Sequence, residues 1–318
     1  MRRRVKLFAL IVMIVMMAVF SSGCFFLDFL FGTEEEPDEP SVTEEKKEKE
    51  IEEFEDDEDE RETTFYLLDD ETDKIVKTTS KIPWAEGIAQ ETLSKMVRDE
   101  ENLQYWAEYE LEPVIPSGTE IKGMTIDDDG TARVNFSEEF LEYEGEFGQL
   151  LNAVVYTLTE FDTINGVEFM IEGQMLEDLP EGAEISGRVD RVGINTEVAV
   201  VADGENPVTL YFVAEKGDNT FYVPVTRMVS DEAELEGEAL AELINGPDPD
   251  STLNSYVSSE ITLNDIDLDD GILYLDVSDI STEEGREEEA VNQITYTLEE
   301  FETIEKVELT VDGQESVY

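Results

Sequence analysis

Residues 156–174 (YTLTEFDTINGVEFMIEGQ) and 296–314 (YTLEEFETIEKVELTVDGQ) align without a gap at an offset of 140, with 11 identities in 19 positions. A match of that length at a fixed offset means one supersecondary unit built twice, so any fold for this chain must divide into two like halves. Looser correspondences extend the unit toward the amino terminus. TTFYLLDD at 63–70 matches VTLYFVAE at 208–215, ETLSKMV at 91–97 matches EALAELI at 238–244, and DGTARVNFS at 129–137 matches DGILYLDVS at 270–278.

Periodicity predicts the same element order in each copy. Residues 65–68 and 210–213 read as a first strand, and 75–79 and 220–225 as a weaker second one. A helix follows, carrying Ile88, Leu93, Met96 and Val97 in one copy and Leu235, Leu240, Leu243 and Ile244 in the other. The pairs Asp129-Gly130 and Asp270-Gly271 predict hairpin turns, the first between strands at 121–126 and 132–136. Phe147, Leu150, Leu151, Val154, Val155, Leu158 and Phe161 then recur at helical spacing on one stripe, repeated by Ala290, Val291, Ile294, Leu298 and Phe301. A last strand at 167–171 or 307–311 closes each copy. The expected architecture is α+β: two tandem copies of a small domain, each with two helices on one face of a short mixed sheet. The expected bounds are 63–174 and 207–318, joined by a connector at 175–206 in which 197–201 form a linking strand.

Composition excludes whole classes of function. The chain has 318 residues, no His and one Cys, with 21 Lys and Arg against 81 Asp and Glu, a net charge of −60. Without His there is no imidazole triad, imidazole metal ligand or His pH switch, and one Cys makes neither an internal disulfide nor a zinc cluster. Such a negative surface repels phosphate, so nucleic acid is not an expected partner. By segment the net charge is +3 over 1–32, −14 over 33–62 and −49 over 63–318. The acidity therefore belongs mainly to the folded part.

The amino terminus reads as an export signal. Arg2, Arg3, Arg4 and Lys6 precede an apolar run at 7–20, too short for a bilayer span of about 20 residues but suited to a signal-peptide core. Ser21, Ser22, Gly23 and Cys24 then resemble a bacterial lipobox, which assigns Cys24 to lipid attachment and 1–24 to a lipoprotein signal peptide. The other reading is an uncleaved anchor helix, extended by Phe25, Phe26, Leu27, Leu30 and Phe31. Either one places the remainder on the extracytoplasmic face of the cell membrane. Residues 25–62, almost devoid of apolar side chains from 33 onward, are expected to form a disordered acidic tether.

The segment 114–142 (VIPSGTEIKGMTIDDDGTARVNFSEEFLE), followed by 150–173 (LLNAVVYTLTEFDTINGVEFMIEG), resembles the GerM domain of spore-forming bacteria. The second copy adds the family's helix end at Leu240, Leu243, Ile244, Gly246 and Pro247, and its Val-Pro-Val-x-Arg run from Val223 to Arg227. The first copy departs from the family with NLQYWAEYELEP at 102–113, and the second has Ser258, Ser259 and Glu260 where Pro-x-Gly-Thr is usual. The resemblance implies a non-catalytic envelope lipoprotein of sporulation or germination, with small α+β domains like ring-building modules, that contacts other envelope or sporulation-complex proteins. It supplies no catalytic residue, metal ligand or cofactor site. The alternative function is a cell-wall protein that binds or hydrolyses peptidoglycan through carboxylates.

Several residues invite chemistry and have plainer readings. Asp265, Asp267, Asp269, Asp270 and Gly271, with Asp276, resemble a calcium loop, but Gly stands one position late and the twelfth residue is Asp, so a hairpin turn is expected. Glu160 with Glu300 and Glu168 with Glu308 align between the copies and could form a hydrolytic pair. The plainer expectation for them is a solvated face. Tyr156 and Tyr296 are expected to be half-buried with wet hydroxyls. Trp84 and Trp106 occur only in the first copy, as a partner or glycan contact if exposed or as a core filler.

The acidity is best read as adaptation to a saline medium, because molar salt shortens the Debye length to about 3 Å and screens self-repulsion. The melting temperature is therefore expected to rise from dilute buffer to molar NaCl; a flat response would contradict a halophilic origin.

Overall fold

In the computed structural model the described residues are 60–318, except 181, 183, 184, 186, 192, 197–204, 218, 231–234 and 316–318. Cys24, the signal segment, nearly all of the acidic tether and the linking strand expected at 197–201 lie outside them. Among the described residues no helix is long and apolar enough to cross a membrane.

The first copy contains β1 (Glu60–Asp69), β2 (Lys74–Pro83), α1 (Ile88–Lys95), α2 (Glu100–Trp106), β3 (Ile121–Ile126), β4 (Thr131–Phe136), α3 (Phe147–Leu158), β5 (Gly166–Ile171) and β6 (Gln174–Met175). The second contains β7 (Glu205–Lys216), β8 (Asn219–Ser230), α4 (Leu235–Asn245), β9 (Thr262–Asp269), β10 (Ile272–Ser278), α5 (Glu287–Leu298), β11 (Lys306–Val311) and β12 (Gln314–Glu315). Strand β1 begins inside the segment read as tether, with Glu60 paired to Pro83.

The α+β class and the tandem arrangement hold, and the strands divide in a way that periodicity did not show. Each copy keeps one small mixed sheet, ordered β3-β4-β5-β6 or β12-β11-β10-β9, with a parallel central pair. The first hairpin of each copy leaves that sheet and joins its counterpart in a shared sheet ordered β1-β2-β8-β7. The second strand, expected to be weak, is as long as its partner in both hairpins. Each long helix lies between two sheets: α3 packs on β1 and β5, and α5 on β7 and β11. This explains why nine of the twelve residues of α3 are buried rather than one stripe.

The outer edges of the shared sheet are covered from within the molecule. The Tyr66 N–H donates to Thr157 Oγ1 and the Tyr211 N–H to Thr297 Oγ1, each at 3.0 Å. Leu68 bridges to Glu112, and Val213 to Asn254. Around Tyr66 to Leu68 and Tyr211 to Val213 the edges are therefore already satisfied and offer no template for further strands.

The divergent stretch of the first copy is a local core. Asn102 Nδ2 donates to the Ser94 and Val97 carbonyls at 2.8 Å each, closing the end of α1 that lacks the Gly-Pro stop. Trp106 is fully buried edge-on to Phe65 (centroids 4.8 Å apart), and its Nε1 donates to the Lys95 carbonyl at 2.8 Å. Trp84 is 64% exposed. Trp106 is thus a core filler, whereas Trp84 lies at the surface. Trp106→Ala is expected to cost about 3–5 kcal/mol in urea unfolding, and Trp84→Ala less than about 0.5 kcal/mol.

Candidate functional site

Glu160 follows the last turn of α3 and Glu300 that of α5, so each carboxylate stands at the negative end of a helix. Both point into the junction between the copies, where side-chain exposure falls to 21% and 10%. The solvated face expected of them is therefore incorrect. Two buried carboxylates beside two helix C-termini need positive charge, and the connector supplies it through Arg191.

Arg191 reaches across both copies. Its Nε donates to Glu300 Oε2 at 2.9 Å and its Nη2 to Glu300 Oε1 at 2.7 Å, a bidentate fork. The same Nη2 lies 2.9 Å from Glu160 Oε1, and 2.7 and 3.1 Å from the hydroxyls of Tyr66 and Tyr211. Those hydroxyls are 2.8 Å apart, and they donate to Glu160 (2.9 Å) and Glu300 (2.6 Å) respectively. Lys77 Nζ, from β2, approaches Glu160 Oε2 at 3.4 Å. All four carboxylate oxygens are thereby engaged.

The tyrosines of the long helices complete the site. Arg191 lies 4.4 Å from the ring centre of Tyr156, and Lys77 4.2 Å from that of Tyr296, so each aligned tyrosine carries a cation on its face. Tyr296 is partly buried, as expected. Tyr156 is fully buried with its hydroxyl 3.3 Å from Thr209 Oγ1, so the expected wet hydroxyl is corrected to a dry one.

Burial disfavours charge on Glu160, but Lys77 and Arg191 outweigh it and hold its pKa below the usual value. Burial likewise opposes charge on Arg191, but Glu300, the two phenols and Glu160 raise its pKa further above the ordinary range. Burial pushes the Tyr66 and Tyr211 hydroxyls well above the usual phenol value despite Arg191, so both stay protonated donors.

The connector is anchored on both sides of Arg191. Val189 bridges Val167 of β5, and Asn152 Nδ2 donates to the Gly193 carbonyl at 2.9 Å. Asn195 Oδ1 accepts from the Ile75 N–H at 2.9 Å, while its Nδ2 donates to the carbonyls of Ile75 (2.6 Å) and Pro224 (2.8 Å). It thus stitches β2 to β8, where the register holds only Lys77 opposite Tyr222.

Outward from this cluster the junction opens into a cleft of about 880 Å³ whose lining includes Lys77, Arg188, Glu299, Glu302 and Glu305. Among the described residues, no group of three or more acidic or Cys side chains could hold a metal ion. The aspartates that resemble a calcium loop lie in the β9–β10 hairpin, where Asp276 Oδ1 accepts from Thr310 Oγ1 and the Gly313 N–H. Glu168 and Glu308 sit on separate sheets, Glu168 paired with Arg133 and Glu308 with Lys306, outside the junction. Sequence reasoning missed Arg191 and Asn195, which lie in the connector outside the repeat, and Lys77, whose counterpart in the second copy is Tyr222. Tyr66 and Tyr211 do align between the copies, and that identity was the available signal.

A protein family described as Germane, sporulation and spore germination, matches residues 64–177 and 209–317. The spore germination protein GerM of Bacillus subtilis (strain 168) is 32% identical over 263 residues, spanning 78% of this chain and 71% of that protein. The solved tandem GerMN domains of the sporulation protein GerM from Bacillus subtilis share 30% identity and a TM-score of 0.71. That match covers 80% of this chain and 92% of the other.

Removing the guanidinium leaves Glu300 without its ion-pair partner and Glu160 with Lys77 alone, both largely shielded from water. Arg191→Met is expected to cost about 3–5 kcal/mol in denaturant unfolding. Because the folded pKa of Glu160 is lowered, its contribution is complete above the unfolded carboxylate value of about 4.3 and drains away as pH falls toward the folded value. Losing Arg191 raises that folded value, so acid unfolding of Arg191→Met should begin at higher pH than in the wild type, followed by circular dichroism.

Proposed function

The chain belongs to the Germane family of sporulation and spore-germination proteins, and we propose that it works there as a lipid-anchored assembly module without catalysis. One observation carries the reading. The carboxylates that align between the copies, the best candidates for hydrolytic chemistry, are spent on Arg191, Lys77 and two tyrosines that weld the copies together. A body welded at its centre presents its outer sheets and helices at fixed spacing, as a subunit that docks neighbours must.

Cys24 is the proposed lipid-attachment residue, and the segment 25–62 holds the folded body away from the extracytoplasmic face of the membrane. The partners are envelope or sporulation-complex proteins, with peptidoglycan as a further surface for contact. The −49 on residues 63–318 suits an acidic protein working in a saline medium.

Incubating the purified protein with cell-wall saccharides tests the absence of catalysis: no product is expected, and released muropeptides would overturn the reading. Cys24→Ala should lose the lipid and leave the membrane fraction; unchanged size and membrane retention would instead favour an uncleaved anchor helix.

A further inference from the structure

The two copies differ at the outer strand of their mixed sheets. In the first copy α1 packs against β3, leaving Ile121 and Met124 half-buried and only Ile126, next to the turn, exposed at 45%. In the second, α4 packs on β7, β8 and α5. Leu263, Ile266 and Leu268 of β9 lie opposite the buried Val277, Leu275 and Leu273, on the same face, yet are 48%, 53% and 49% exposed. Strand β9 therefore carries an apolar row beyond the reach of its own helices, at the open edge of its sheet.

The backbone of that edge is also directed outward. Asp270 (φ 49°) and Gly271 (φ 83°) form a two-residue turn with both residues left-handed, closing on the pair Asp269 and Ile272. Alternation from that closing pair turns the N–H and C=O of Ile266 and Leu268 away from β10. The opposite face of β9 holds Asp265, Asp267 and Asp269, which make no ion pair among the described residues. In the first copy the corresponding face carries its own cation, Arg133, between Asp127 and Glu168. The aligned residue of the second copy is Tyr274, and the cation on that face, Lys306 of β11, is paired with Glu308 at 2.8 Å rather than with the β9 aspartates.

We propose that β9 is a docking edge for an extended segment of another protein in which Lys or Arg alternates with branched apolar residues. The apolar side chains would cover Leu263, Ile266 and Leu268, and the basic ones would face the aspartates that lack Arg133. Charge argues against the two nearest alternatives. A second copy of β9 would set aspartate against aspartate, and the chain's own segment 33–62 carries −14.

The test is amide hydrogen exchange on the full chain in detergent micelles at about 0.15 M NaCl. The probe is a capped peptide of about ten residues alternating Lys and Val, with Lys/Ser and Glu/Val peptides as controls. Exchange at the Ile266 and Leu268 amides is expected to slow at least about tenfold with Lys/Val alone. Ile266→Pro removes an outward N–H without breaking the β10 ladder, and the double variant Ile266→Lys, Leu268→Lys removes the apolar row; each should abolish the response. Equal protection by Lys/Ser, no change at β9, or protection that survives both variants would overturn the proposal. So would self-association that the double lysine variant abolishes, since that assigns the edge to a second copy. The proposal rests on the reading as an assembly module, but turnover of cell-wall saccharides would overturn that reading and leave the peptide result standing.

Discussion

A guanidinium held between two helix C-termini is the constraint on which the rest of this molecule depends. Glu160 and Glu300 each combine three unfavourable circumstances: burial, a helix end of like sign, and proximity to the other carboxylate. Only a cation reaching both at once resolves them, and Arg191 does so with a fork on Glu300 and a single contact to Glu160. The connector that carries it must therefore be ordered, which accounts for the Val189 bridge and the three hydrogen bonds of Asn195 on either side.

The shared sheet follows the same logic. The hairpins β1–β2 and β7–β8 are each long and regular, but they meet at a single register pair, Lys77 with Tyr222. A seam that thin gains its strength from side chains: Asn195 across the backbone, Arg191 and Lys77 over the rings of Tyr156 and Tyr296, and the hydroxyl pair of Tyr66 and Tyr211. With the inner edges joined and the outer edges covered by Thr157 and Thr297, strand pairing inside the molecule is largely used up. The outer strands of the two private sheets, β3 and β9, remain edge strands, and only in the second copy does the strand also expose an apolar row.

Much of this was legible in the sequence, and what escaped has a common cause. The repeat showed two α+β copies, and the stripe from Phe147 to Leu158 located the long helix, because local periodicity reports local structure. Which hairpin pairs with which is a non-local choice, so the division of strands between a shared sheet and two private ones left no mark on periodicity. The same holds for the site. Glu160 and Glu300 were visible as aligned acids, but among 81 acidic residues nothing local marked these two as buried. Arg191 lies in the connector, outside the repeat, so the comparison that exposed the carboxylates could not expose their partner. Trp106 illustrates a further limit, since its place depends on Asn102 and α1 closing a helix end that the second copy ends differently.

The central claim is that Arg191 makes one cooperative body from two copies of a domain. Differential scanning calorimetry of the wild type against Arg191→Met tests it most directly. One transition with equal calorimetric and van't Hoff enthalpies is predicted for the wild type, splitting into two in the variant. Two separable transitions in the wild type, or a variant that still unfolds as one, would contradict the account.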